Sequence, residues 1–166
     1  MNVKASFCIE SDPQLDADSA SYLYYSAGSV MILKYKEFTY TLMGKKKEFI
    51  NLTGCNSFKK INEAVYNFTY LTNRTKIYNM KINTITFTLK IKLENDRFAY
   101  FKNNKPTNFT IKRFPKFCGV CFKYDISKIS GNYFHKSKKM VAMGGRNFYD
   151  MVSFTRDLLQ IGFKAI

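Results

Sequence analysis

Two segments of this chain place apolar residues at spacings of three and four, and most of the remainder is rich in β-branched and aromatic residues. Phe58, Ile61, Phe68 and Leu71 form one helical stripe, and Phe148, Met151, Leu158 and Ile161 form another. The spacing predicts helices over 57–72 and 147–161. Strands are expected at Val30 to Leu33, Phe38 to Leu42 and Phe49 to Thr53, the last after a turn through Gly44 and Lys45 to Lys47. Further strands are expected at Met80 to Leu93, Phe117 to Tyr124, Ile126 to Phe134 and Met140 to Met143. Short helices are expected at Pro13 to Tyr24, where Asp12 caps and Pro13 takes the first turn, and near Asp96 to Phe101.

The pattern repeats at an offset of 90 residues. Leu52 to Phe58 lines up with Ala142 to Phe148, and the helical apolar positions that follow stay in step. Each segment reads as a strand ending in glycine, then a polar cap (Ser57 or Asn56; Asn147), then an amphipathic helix. The expected organisation is therefore two repeats, 1–74 and 75–166. The fold class is α+β: an antiparallel sheet with its helices on one face and the other face left open.

Charge narrows the function. The chain has 166 residues with 27 Lys+Arg against 12 Asp+Glu, a formal net charge of +15. Residues 1–18 hold one lysine and four acids, so 19–166 carry about +18. A basic surface of this size points to a polyanion, because neutralising phosphates releases counterions. No apolar run spans a bilayer and no signal peptide is visible, so no membrane partner and no secretion are expected. Cys8, Cys55, Cys118 and Cys121 read as free thiols of a reducing compartment. The Cys118–Cys121 pair invites a metal or redox reading, but a second ligand pair is missing. His135 has no nucleophile or base pattern around it, so neither an enzyme nor a cofactor is expected.

Several segments of the second half resemble the TATA-box-binding protein (TBP) family. Ile77 to Met80, Ile91 to Glu94, Arg113-Phe114-Pro115, Tyr133-Phe134, Lys139 to Val141 and Gly144 stand in the family's order and at its approximate spacings. In the first half Asn2-Val3 and Leu52 to Gly54 are similar in the same way. The resemblance implies a saddle: a curved antiparallel sheet of two pseudo-symmetric repeats, with helices on the convex side and the concave side on a widened minor groove. It implies a transcription factor that binds and bends AT-rich double-stranded DNA and recruits other initiation factors or RNA polymerase subunits. Its place would be the nucleus, or a cytoplasmic viral factory if the source is viral. A member this divergent points to a large DNA virus or a reduced, AT-rich genome.

Carried over residue by residue, the resemblance assigns Asn79 and Asn2 to base contact near the pseudo-dyad. Phe114 becomes the first ring wedged into a base step. The second is Phe134 if the turn Lys136 to Lys139 carries an extra residue, or His135 if it does not. Val141 and Met143 fall on groove-facing positions, with Asn51 and Thr53 as their first-half equivalents. On their own, Phe114 beside Pro115 reads as an edge or core aromatic, Asn79 as a turn residue, and Lys45 to Lys47 and Lys136 to Lys139 as solvated tips. The first half departs from the family: Ser26 to Ser29 stands where a wedge is expected, and Tyr40 or Leu42 has to replace the second ring. Three readings follow: an asymmetric promoter-binding factor, an interaction module that keeps the fold with weak DNA contact, and a non-specific charge-driven binder.

Overall fold

The computed structural model describes residues 1–10, 23–73, 75–93, 101, 106–114 and 116–166, with backbone alone at 23–26. It divides into two compact units, Met1–Thr84 and Ile85–Ile166. Unit 1 holds β1 (Asn2–Ile9), β2 (Leu23–Ala27), β3 (Val30–Tyr35), β4 (Phe38–Met43), β5 (Phe49–Cys55) and α1 (Phe58–Leu71). The first part of β6 (Ile77–Leu93) completes it, in the strand order β2-β3-β4-β5-β1-β6. Unit 2 takes the rest of β6 with β7 (Phe109–Lys112), β8 (Val120–Tyr124), β9 (Ser130–Phe134) and β10 (Lys139–Gly145). Its order is β6-β10-β9-β8-β7, with α2 (Phe148–Gln160) and a short β11 (Phe163–Ala165) on the end of β6. α1 packs on β5 and β1, and α2 packs on β10 and β11.

The two helices begin at the same place in the 90-residue frame, for the same reasons. Ser57 and Asn147 are both extended N-caps; Ser57 Oγ accepts from the Lys60 N–H at 3.3 Å, Asn147 Oδ1 from the Asp150 N–H at 2.8 Å. Upstream, Gly54 and Gly144 sit at φ +96° and +102°. A Cβ at either would collide with a backbone carbonyl, Glu37 O in one unit and Lys128 O in the other. Only glycine meets both demands. The repeat boundary expected at 74/75 precedes β6, whereas the compact units meet inside it.

Alternation sets the core. Val3, Ala5, Phe7 and Ile9 of β1 face α1 with Tyr40, Leu42, Ile50 and Leu52, all essentially inaccessible. Corresponding positions are then filled by opposite means. Tyr40, opposite Leu52, lies over Ala64 of α1 and donates its hydroxyl to the Ala64 carbonyl at 2.7 Å. In unit 2 the strand residue opposite Ala142 is Gly131, and the helix supplies Phe154, 90 residues after Ala64. A Cβ on Gly131 would stand 2.7 Å from the Phe154 ring. That ring packs against Phe109, Tyr124 and Phe87 at 5.8, 5.6 and 5.9 Å between centroids.

Helix positions 67 and 157 also correspond, and differ. Asp157 is buried and accepts from Tyr124 Oη at 2.8 Å, Asn108 Nδ2 at 2.7 Å and Arg156 Nε at 3.0 Å. Burial alone would raise its pKa, but the hydrogen bonds from Tyr124, Arg156 and Asn108 outweigh it and hold the carboxyl below the usual aspartate value. Burial, followed by the bond to that carboxylate, pushes the Tyr124 phenol up to about 12. Asn67 is equally buried, yet its Nδ2 finds no partner.

Two expectations need revision, and a third falls largely outside the described residues. Residues 13–22 of the expected helix 13–24 lie outside the described residues, and Leu23 and Tyr24 are strand, paired with Lys34 and Leu33. Of the segment Asp96 to Phe101 only Phe101 is described; it is helical and buried. The strand expected from Ile126 starts only at Ser130, because the Tyr124 N–H donates to the Ile129 carbonyl at 2.9 Å and closes a turn over 125–128. β7 and β11 have no counterpart in the sequence reading.

Candidate nucleic-acid interface

The side chains that alternate with the core form a second face in each unit, opposite its helix. In unit 1 cross-strand pairing lines up Ser6, Asn51, Thr41 and Ile32 in one row, and Cys8, Phe49 and Met43 in the next. Asn2, Lys4, Thr53, Thr39 and Lys34 share this face. Asn79 of β6 joins it by an unusual route. Its φ of 52° is left-handed, a conformation asparagine tolerates better than most residues, and it helps line a cleft with Ser6, Cys8, Met43, Phe49 and Asn51. Nearby, Ser6 Oγ donates to Asn83 Oδ1 at 3.0 Å.

In unit 2 the corresponding rows read Thr88, Val141, Asn132, Cys121, Lys112 and Thr86, Met143, Ser130, Lys123, Thr110. A third row places Lys90 directly opposite Lys139, with Phe134 beside it. The Phe117 and Phe134 rings meet edge to face at 5.6 Å between centroids. Gly119 permits this, since a Cβ there would stand 2.8 Å from the Phe117 ring. Phe114 lies on the same turn, its carbonyl accepting from the Phe117 N–H at 3.0 Å, and is 52% exposed.

None of these strand positions carries an acidic side chain in either unit. Lysine occupies 4 and 34 in unit 1, and 90, 112, 123 and 139 in unit 2. Like charges directly across a ladder repel by up to about 1 kcal/mol, so the Lys90–Lys139 pair favours an anion over the row. Threonines 39, 41, 53, 86, 88 and 110 present a methyl and a hydroxyl each. The surface is apolar, hydrogen-bonding and cationic together. Of the four free cysteines, Cys8 and Cys121 lie on these faces and Cys118 is exposed before β8. Cys55 is buried toward α1, which pushes its thiol up to about 11, with Glu37 and Glu63 adding to the effect.

Asn2, Asn51, Thr53 and Asn79 thus share the open face of unit 1, and Val141, Met143 and Phe134 share that of unit 2. His135 is exposed in the turn after β9, against the edge of Tyr133 at 6.4 Å, while Phe134 faces the open side. The expected substitutes Tyr40 and Leu42 are fully buried beneath α1. The next residue, Met43, points the other way: strand parity decides it. Met43 pairs with Phe49 as Phe134 pairs with Lys139, so it is the unit 1 counterpart of Phe134. Sequence reasoning missed Phe49, which is 51% exposed on the open face, and Phe117. Parity counted from buried Ile50 would have found Phe49; nothing local marks Phe117. At the other expected wedge, Ala27-Gly28-Ser29-Val30 is a tight hairpin turn without a ring, Gly28 having φ 58°.

No family model matches the chain, and no curated protein matches it by sequence. Among solved structures, the TBP of Methanococcus jannaschii superposes with a TM-score of 0.75 at 15% identity, over 97% of this chain and 95% of that one. No described helix is long and apolar enough to cross a membrane. At that identity the likeness concerns architecture: this chain has the α+β fold of TBP.

Proposed function

We propose that this protein binds AT-rich duplex DNA in the minor groove through the open faces of its two units, bends it, and recruits transcription machinery. The observation that carries the reading is the open face, whose strand positions hold threonines, asparagines and apolar side chains among lysines and no acid, the Asp125 carboxylate reaching Thr110 Oγ1 from the turn after β8. Lysines supply the salt-dependent attraction to phosphate. Apolar and hydroxyl side chains suit a groove floor whose A·T pairs show only acceptors. Phe114 and the edge-to-face Phe117–Phe134 pair are the rings we assign to enter a base step, at a stacking cost of a few kcal/mol that wider contact with bent DNA offsets.

Titrations of matched AT-rich and GC-rich duplexes at several salt concentrations test binding. Affinity should fall steeply with salt and favour the AT-rich duplex; equal affinity for both would leave only charge-driven binding. Bending is read by energy transfer between labelled duplex ends. Phe114→Ala and Phe117→Ala should each reduce the bend more than Phe49→Ala does in unit 1. If none of the three changes the bend, or the parent does not bend DNA, the wedge assignment fails.

A second reading has its own observation. Phe148, Tyr149, Val152 and Leu159 of α2 are all exposed, on the side away from the sheet. This stripe favours a protein-docking role for unit 2, and it would take the lead if the bending experiment fails.

A further inference from the structure

Corresponding positions on the two open faces differ in chemistry. Val141 and Met143 of unit 2 stand where unit 1 has Asn51 and Thr53, 90 residues earlier. Around Asn51 the polar character continues: Ser6 is directly opposite on β1, and Asn79 lines the same cleft. Among the described residues Asn51 Nδ2 reaches the Met43 sulfur, at 3.9 Å, a weak contact that a base edge can replace.

The minor groove makes this difference matter. A·T and T·A pairs offer acceptors alone, while a G·C pair adds the guanine N2 amine as a donor. Pressed against the Val141 and Met143 side chains, that amine loses its water, and neither side chain offers it a strong acceptor in return. A side-chain amide offers both an acceptor oxygen and a donor nitrogen, and a threonine hydroxyl does the same. Asn51, Thr53 and Asn79 can therefore answer either kind of pair.

We infer that the two units read different base pairs: unit 1 accepts G·C beneath Asn51, Thr53 and Asn79, and unit 2, through Val141 and Met143, demands A·T. The inference rests on the minor-groove reading above and sharpens it to a site whose A·T requirement is confined to one half.

The test uses three duplexes of one length: an all-A·T site, and the same site with two G·C pairs placed in one half or the other. An iron chelate on exposed Cys118, with Cys8 and Cys121 changed to serine, cleaves the strand nearest unit 2 and fixes which half each unit covers. G·C pairs under unit 2 should weaken binding roughly 10- to 100-fold and those under unit 1 by less than about threefold. Asn51→Val with Thr53→Val should bring the unit 1 penalty up to that of unit 2. The reciprocal Val141→Asn with Met143→Thr should lower the unit 2 penalty, which covers the case where one variant folds poorly. Equal penalties in both halves on a protein that binds the all-A·T duplex overturn this inference alone. Failure to bind that duplex at all overturns the minor-groove reading with it.

Discussion

The two units share a scaffold and have diverged on both of its faces. Their helices, caps and positive-φ glycines correspond at an offset of 90, and so do the strands that precede them. Beneath the helix, unit 1 puts the ring on the strand and the small residue on the helix, Tyr40 over Ala64. Unit 2 reverses this with Gly131 and Phe154. On the open face β5 of unit 1 carries Asn51 and Thr53, with Met43 and Phe49 at the outer row, while β10 of unit 2 carries Val141 and Met143, with Phe134 and Lys139 there. Backbone geometry tolerates no compromise at a glycine whose Cβ would strike a carbonyl. Packing constrains only the volume a pair of side chains must fill, so its two members can trade sizes.

The sharpest way to break the correspondence is at the shared glycines. Gly54→Val and Gly144→Val should each cost roughly 3–5 kcal/mol, from left-handed strain plus collision. Denaturant melts measure this. A near-neutral result at either site would show that its turn is not held as its partner's is.

Positions 67 and 157 should then separate the units. Asp157→Ala leaves the buried Tyr124 hydroxyl and the half-buried Asn108 amide without their acceptor, and should cost roughly 2–4 kcal/mol. Asn67→Leu removes an amide with no partner for its nitrogen, and should lie within about 1 kcal/mol of neutral. Comparable losses at both sites would mean that Asn67 has a partner after all. The carboxyl adds a pH signature. Its folded pKa is depressed, so its contribution is fully present above the unfolded value of about 4 and fades as pH falls through the folded value. Asp157→Asn should flatten the stability profile below about pH 4 and leave its slope at pH 7 unchanged.

A smaller effect probes the exchanged pair. Gly131→Ala forces a methyl against Phe154 and Met140 and should cost about 1–3 kcal/mol. Combining it with Phe154→Leu should recover part of that loss. A thermal melt in which the double variant is as unstable as the sum of the singles would show that the ring does not occupy the space Gly131 leaves.

Much of this was legible in the residues themselves. Helical spacing from Phe58 and Phe148, with a polar cap and a glycine before each, located both helices to within a residue, because caps and φ > 0 are local demands. The runs around Phe38, Phe49 and Met140 gave strands for the same reason. Sequence also supplied the charge and the resemblance, and through them Asn51, Asn79, Val141 and Met143 as candidates for the open faces. Which side of a strand faces the helix is a tertiary matter, since a shift of one residue inverts every side chain. That decided Tyr40 and Leu42 against Met43. It also brought Phe49 to the surface, and chose Phe134 over His135 for the open face. The Phe117–Phe134 edge-to-face contact, the Asp157 cluster and the Lys90–Lys139 pair join residues far apart in the chain. Their chemistry exists only once the ladders are in register, and no local pattern encodes it.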